Sequence, residues 1–93
     1  MRKDILDKAI QCVCTDREHD YGTPEDSFNA IAKYWSVYLK REVSAHDVAI
    51  LMTLLKIARI ETGRFKEDSY IDACGYLACG GEISERDNTN LQE

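Results

Sequence analysis

Apolar residues in the first half of the chain recur every three or four positions, which is the spacing of one face of an α-helix. The first run predicts a helix over residues 3–17, and the polar segment after it, which ends at Gly22, predicts a loop. Thr23 and Pro24 then offer an N-cap and a proline suited to the first helical position, so a second helix is predicted from there to Lys40. The apolar stripe of this second helix comprises Phe28, Ile31, Ala32, Trp35, Tyr38 and Leu39.

The second half of the chain predicts two more helices. Ser44 and Asp47 have the spacing of a capping box, which marks the start of a third helix that ends near Gly63. Residues 48–60 of this helix are apolar nearly all round, which a helix tolerates only when neighbours cover most of its surface. A fourth helix is predicted over residues 66–79, stopped by the glycines at 80 and 81. Residues 1–81 then form a single helical domain, and the acidic residues 82–93 predict a mobile tail.

The predicted fold is therefore all-α, a compact four-helix bundle. Three short neighbours cannot easily cover the third helix, so a homo-oligomer, either a dimer or larger, is expected to complete the core. Two apolar rows on different sides of that helix fit one internal core and one partner surface. These rows are Ile50, Leu54, Ile57 and Leu51, Leu55, Ala58. A monomer with a well-covered core is the alternative.

The overall charge limits the partners. Seventeen acidic and twelve basic side chains give a net charge of -5 and a pI near 5.0. This is the wrong sign for a protein that wraps a nucleic-acid backbone, so duplex DNA or RNA is not expected to bind. No apolar stretch approaches the roughly 20 residues of a membrane span. A cytoplasmic protein without membrane contact is expected.

The four cysteines fit neither a disulfide framework nor a zinc knuckle. Cys12 and Cys14 are two residues apart and Cys74 and Cys79 are five apart, so neither pair shares one face of its predicted helix. Neither pair has the C-x-x-C spacing of a structural zinc site. Free thiols, buried or half-buried, are predicted.

Three polar residues interrupt the apolar third helix and form the most informative pattern in the sequence. Thr53, Lys56 and Arg59 are three residues apart and therefore make a continuous stripe. In one interpretation the two cations pair with aspartates of the fourth helix as a salt-bridged seam. In the other, the seam lines a pocket where the cations bind phosphate and the aspartates bind a metal or a base edge. The fourth helix presents Asp68, Asp72 and Tyr76 four residues apart on one face.

Further candidates lie before and inside the second helix. Arg17 and Tyr21 belong to a donor-rich segment next to the helix N-terminus, whose free N–H groups suit an anion. A solvated turn is the alternative there. Asn29 is a candidate for a ligand contact or a local hydrogen bond, and the aromatic rings of the chain are candidates for base stacking or for the core. The sequence contains no glycine-rich phosphate-binding motif and no G-x-S-x-G nucleophile motif.

Three runs of the sequence resemble a small domain of unknown function that is common in bacteriophages and prophages. They are REHDYGTPEDSFNAIAKYW at 17–35, DVAILMTLLKIAR at 47–59 and DSYIDACGY at 68–76, and the stretch from the first run to the last covers about two thirds of the chain. The phage group is in turn similar to the all-α, MazG-like NTP pyrophosphatases, which are helical dimers or tetramers that use magnesium. Those enzymes place E-x-x-E on one helix and E-x-x-D on the next, whereas here the third helix has only Asp47 near its start and the fourth has the pair Asp68 and Asp72. The resemblance therefore implies nucleotide binding with an incomplete two-metal centre.

The resulting hypothesis is a phage-type nucleotide-binding protein that sequesters the nucleotide second messengers of host antiviral immunity, in the cytoplasm of the infected bacterium. No cofactor is expected to be required. One alternative is a MazG-type pyrophosphatase in which Asp68 and Asp72 hold Mg²⁺ weakly, helped by Asp47 or Glu18. The other alternative is an inhibitor that binds a host factor without a small ligand. The predicted ligand-binding residues are Lys56, Arg59, Asp68, Asp72, Tyr76, Arg17, Tyr21 and Asn29.

Overall fold

The computed structural model describes the backbone of residues 1–92 and the side chains of residues 1–88. Within that part of the chain the fold is all-α, with four helices and no strand, as predicted. The first helix is continuous but contains a π-helical segment, since the backbone at both joins keeps right-handed helical angles. The elements are α1 (Arg2–Gln11), the π segment (Cys12–Asp16), α2 (Arg17–Tyr21), α3 (Pro24–Leu39), α4 (Ala45–Thr62) and α5 (Glu67–Gln92).

Both predicted helix starts are confirmed. The Thr23 hydroxyl accepts from the backbone N–H of Asp26 at 3.3 Å, and Pro24 occupies the first turn of α3. At the start of α4, the Ser44 hydroxyl accepts from the Asp47 N–H at 3.0 Å. The Asp47 carboxylate accepts in return from the Ser44 N–H, also at 3.0 Å. These side chains satisfy N–H groups that a helix leaves without internal partners, which fixes where α3 and α4 begin.

Two predicted helix ends are wrong. The segment before Gly22 is helical through Tyr21, and Gly22 itself, at φ 81°, ends the helix. The fourth helix does not stop at the glycines but runs through Gly80 and Gly81 to Gln92. Each helical glycine costs about 1 kcal/mol relative to alanine. That cost is offset because Gly80 packs closely on α4 and the next turn buries Ile83, which is 3 % exposed. The mobility of residues 82–93 stays a prediction, and Glu93 lies outside the described residues.

The core lies between α3, α4 and α5. Its buried cluster consists of Phe28, Ala32, Ala45, Val48, Ala49, Cys79 and Ile83. Val48 and Ala49 have no exposed surface, so the core side of α4 is the one that contains these two residues. Small residues at this contact let the α4 and α5 backbones approach closely. Within the part of the chain that the structure describes, the helices lack an apolar stretch of the length that a bilayer span requires.

The predicted division of α4 into a core row and a partner row is wrong. Both predicted rows lie largely on the side of α4 away from the core, where Leu51, Leu54 and Leu55 are 43 %, 53 % and 42 % exposed. Four core-side positions take their place: Val48, Ala49, Met52 and Thr53. The rows looked equivalent because an almost entirely apolar helix carries little information about which side faces the core. Homo-oligomerisation through the exposed side stays a prediction.

Candidate functional site

A cleft lies between the first helix and α5, closed at one end by the start of α3. Its volume is about 30 Å³, room for roughly one water molecule, and the rest of the space between its walls is open to solvent. The first helix contributes Cys12, Val13, Arg17, Glu18 and Tyr21 to its walls. The start of α3 contributes Pro24, Ser27 and Phe28. Helix α5 contributes Ile71, Asp72, Gly75, Tyr76 and Cys79.

The π segment shapes the first wall of the cleft. Its wider turn is closed by the backbone N–H of Arg17, which donates to the carbonyl of Cys12 five residues earlier. Cys12 and Arg17 therefore stand above one another and both face α5. Gly75 permits this approach, because a Cβ at that position would lie 2.8 Å from a methyl carbon of Val13. A larger residue at position 75 would push the two walls apart.

Arg17 and Tyr76 form the polar centre of the cleft. The Arg17 guanidinium lies 5.3 Å from the centre of the Tyr76 ring, and its Nη2 donates to the tyrosine hydroxyl at 3.3 Å. Phe28 supports the same ring from the core side, with ring centroids 6.1 Å apart. Burial works against the charge on Arg17, but Tyr76, a hydrogen bond with Cys12 and the Asp72 carboxylate together raise its pKa above the ordinary value. A fully charged guanidinium therefore lies over an aromatic face at the wall of the cleft.

The predicted pair of Lys56 with Asp72 forms, and it lies at the edge of the cleft. The Lys56 Nζ is 3.0 Å from the Asp72 carboxylate, with the two side chains 14 % and 27 % exposed. The predicted ion pair between the third and fourth helices is therefore confirmed for Lys56 and Asp72. Asp72 also lines the cleft, so its carboxylate belongs both to the ion pair with Lys56 and to the cleft wall.

The other predicted cation does not behave in the same way. Each step of three residues turns 60° around a helix, so the stripe on α4 rotates out of the core. Thr53 is buried, where its hydroxyl donates to the carbonyl of Ala49 at 2.8 Å. Lys56 is half-buried, and Arg59 is exposed. The salt bridges of the described residues include no pair of Arg59 with Asp68, which is exposed as well.

The structure brings together part of the predicted ligand set. Arg17, Tyr21, Asp72 and Tyr76 line the cleft, and Lys56 adjoins it through its ion pair. Three predicted residues are absent from its lining: Arg59, Asp68 and Asn29. Among the described residues, no group of three or more histidine, cysteine or carboxylate side chains is placed to hold a metal ion. Binding of Mg²⁺ at Asp68 and Asp72 stays a prediction.

Several cleft residues were not singled out in the sequence as site residues. Phe28 was assigned to the apolar stripe of the second helix. Gly75 appeared only as the glycine in the run DSYIDACGY at 68–76. No sequence signal reveals the π segment, because its residues continue the apolar periodicity of α1. The glycine at position 75, inside a predicted helix, was the sequence signal for a close approach of another element.

The cysteines are free thiols, as predicted, and two of them reach the cleft. Cys12 is half-buried, Cys14 exposed, Cys74 half-buried and Cys79 buried. Burial is the main cause that raises the pKa of the Cys79 thiol, and the nearby Glu82 carboxylate adds to it. Cys79 therefore stays protonated at neutral pH and contributes apolar surface to the cleft floor.

A family model described as a domain of unknown function, DUF6378, matches residues 4–84. The chain is 40 % identical over 85 residues to the Gene 55 protein of Mycobacterium phage D29, covering 91 % of this chain and 56 % of that protein. It is 36 % identical over 73 residues to the Gene 55 protein of Mycobacterium phage L5, covering 77 % and 47 %. The chain thus spans about half the length of the curated relatives it matches. No solved structure matches it. The predicted resemblance to a phage domain of unknown function is confirmed.

Proposed function

The chain belongs to the DUF6378 family of phage-type domains of unknown function, and from that premise and the cleft geometry we propose that it binds a small anionic nucleotide in the Arg17–Tyr76 cleft. The observation that carries the proposal is a charged guanidinium held over an aromatic ring at the wall of a hollow. Arginine binds phosphate oxygens in a bidentate way, and aromatic rings stack on bases. Because Arg17 and Phe28 already pack against the Tyr76 ring, the ring available to a base is that of Tyr21, which also lines the cleft.

The size of the cleft fits a ligand that lies partly outside it. Sites that enclose drug-sized ligands measure about 300–1,000 Å³, whereas this cleft holds only about 30 Å³, so most of a bound nucleotide would lie outside it. We infer that the phosphate contacts the exposed Arg17 at the wall of the cleft and that the base stacks on Tyr21, which is 66 % exposed. The Lys56 ammonium is neutralised by Asp72 and contributes to phosphate binding only through the local field.

Binding is supported better than hydrolysis. Of the two aspartates proposed to hold Mg²⁺, Asp72 is engaged by Lys56, and Asp68 does not line the cleft. Sequestration of host nucleotide signals, in the cytoplasm of the infected bacterium and by a homo-oligomer, is the role we propose for such a binder. The proposed distant relationship to MazG-like enzymes fits the all-α fold. The names of the phage relatives state no activity, so the role rests on the cleft.

Calorimetric titration with nucleoside triphosphates and cyclic dinucleotides tests the proposal, with two matched arginine variants. Arg17→Gln removes the guanidinium from the cleft and is expected to weaken binding at least tenfold. Arg59→Gln makes the same change on the exposed side of α4 and is expected to leave the affinity unchanged. Absence of binding to any nucleotide contradicts the proposal. A loss confined to Arg59→Gln would place the phosphate on α4, and equal losses in both variants would mean that attraction is not specific to the cleft; both outcomes contradict the proposal. Release of pyrophosphate in the presence of Mg²⁺ would favour the enzyme.

A further inference from the structure

The outer face of α3 presents large apolar side chains to solvent at its C-terminal end. Tyr34, Val37 and Tyr38 are 79 %, 78 % and 86 % exposed, and we refer to these three residues as the tyrosine face. The sequence pattern had placed Tyr38 in the core, and this prediction is wrong. Trp35 is the last side chain of α3 that packs against the core cluster. After it, Val43, which follows the turn at the end of α3, packs against the cluster instead of Tyr38.

The two tyrosines of this face are arranged like adjacent stacking platforms. Residues four apart lie on one side of a helix, with a rise of about 6 Å between them. Val37 lies on the side of Tyr34 away from Tyr38 and extends the apolar surface there. Isolated exposed apolar residues need no explanation, but two neighbouring phenol rings with more than three quarters of their surface exposed form a patch.

Unpaired cations lie beside the tyrosine face. Lys33 lies on α3 one turn before Val37, and Lys40 and Arg41 directly follow the end of the helix, with Lys40 in the left-handed conformation at φ 54°. Among the described residues, the side-chain hydrogen bonds and ion pairs include none from these three cations. Residues 33–43 contain these three cations and one carboxylate, Glu42, so this stretch has a local charge of +2 in a chain of net charge -5.

We propose that the tyrosine face and its cations bind single-stranded nucleic acid, independently of the cleft. Backbone phosphates would lie along Lys33, Lys40 and Arg41, while bases stack on Tyr34 and Tyr38, as in sequence-tolerant single-strand binding. A second copy of the chain is a poorer occupant, because a twofold contact through this face would gather the like-charged cations of both copies in one interface. The overall acidity still excludes wrapping of a duplex, but a strand that contacts one face meets mainly the local positive charge.

Fluorescence anisotropy with a labelled oligo(dT) of about 20 nucleotides tests this assignment. We expect a Kd on the order of 10⁻⁵ M at 50 mM salt. With three phosphate contacts, the affinity should fall about 20-fold between 50 mM and 200 mM salt. Tyr34→Ala and Tyr38→Ala should each weaken binding at least about 5-fold. The Tyr→Phe variants keep the rings and should retain it.

A charge-matched pair of variants separates a specific face from general attraction. Lys40→Gln should weaken binding and lower the salt dependence, whereas Lys66→Gln, at an exposed lysine before α5, should do neither. Unchanged binding in both tyrosine-to-alanine variants, or no binding up to about 1 mM, overturns the proposal. So does a concentration-dependent dimer in sedimentation that the same tyrosine substitutions dissociate, because the face is then a protein interface.

Discussion

Helix α5 approaches its neighbours closely at two glycines, and the two contacts have different surroundings. A Cβ on Gly80 would lie 3.1 Å from the Cβ of Ala49, inside the fully buried core. A Cβ on Gly75 would lie 2.8 Å from Val13, beside a hollow that contains charged and polar groups. A glycine that permits close helix packing thus contributes to the core at Gly80 and forms part of the candidate site at Gly75. The difference comes from the partner: α4 offers small apolar residues, and the π segment offers a widened turn.

On α5, shortening a buried side chain near the core should destabilise the protein more than shortening an exposed one. Ile83→Ala removes a side chain that is 3 % exposed and should lower the free energy of unfolding by about 2–5 kcal/mol. Leu77→Ala, on the same helix but 55 % exposed, should change it by less than about 0.5 kcal/mol. Urea denaturation measures both. Equal, small effects would mean that α5 is not packed beyond its glycines and that the predicted helix end near residue 79 was right.

At the border between the two regions, the Lys56–Asp72 pair should be the most sensitive polar contact. Asp72→Asn leaves a largely buried ammonium without its counter-charge and should cost about 1–3 kcal/mol. Asp68→Asn, at an exposed carboxylate four residues earlier, should be close to neutral. The double variant Lys56→Met with Asp72→Leu should recover most of the loss, because it removes both charges together. A double variant no more stable than Asp72→Asn contradicts this reading.

Alanine at the two glycines compares the contacts directly. Both substitutions gain helix propensity by about 1 kcal/mol, so the difference between them reports the local packing. Gly75→Ala should be the more destabilising, by about 1 kcal/mol relative to Gly80→Ala, because its Cβ meets a branched side chain at the shorter distance. Adding Val13→Ala to Gly75→Ala should relieve the clash. If the Gly75 variant is as stable as wild type, the cleft walls are free to separate.

The sequence predicts those parts of the fold that local chemistry decides. Thr23 and Ser44 mark helix starts because their hydroxyls satisfy backbone N–H groups a few residues away. The continuation of α5 through two glycines was not predictable locally, because it depends on Ala49 from another helix. The exposure of Tyr38 was not predictable locally either, because Val43, from beyond the turn, packs against the core instead.

The candidate site was predictable only in part. Lys56 and Asp72 were matched correctly because helical periodicity put each on a face and a short connection made those faces adjacent. Arg59 was misassigned to the seam, since a three-residue stripe on α4 turns away from α5 within two steps. Arg17 joins Tyr76 through the π segment, which periodicity cannot reveal.

Thiol reactivity gives the smallest expected effect and reports how dry the cleft floor is. Alkylation follows the thiolate, so exposed Cys14 should react with iodoacetamide well before Cys79, whose pKa burial raises above the ordinary 9.0. Because the folded protein favours the protonated thiol, its contribution to stability is complete below about pH 9 and is lost as the pH rises through the raised value. Peptide mass spectrometry after timed alkylation measures the order. Early labelling of Cys79 would mean that its surroundings are open to water.

The claim that the cleft, and not α4, receives the nucleotide is tested most directly by an amide chemical-shift titration of the labelled protein with the tightest-binding nucleotide. The cleft predicts the largest shifts within residues 12–28 and 71–79, including the glycines Gly22 and Gly75. Residues around Arg59 should move little. Shifts concentrated on α4, or none at saturating nucleotide, would contradict the account.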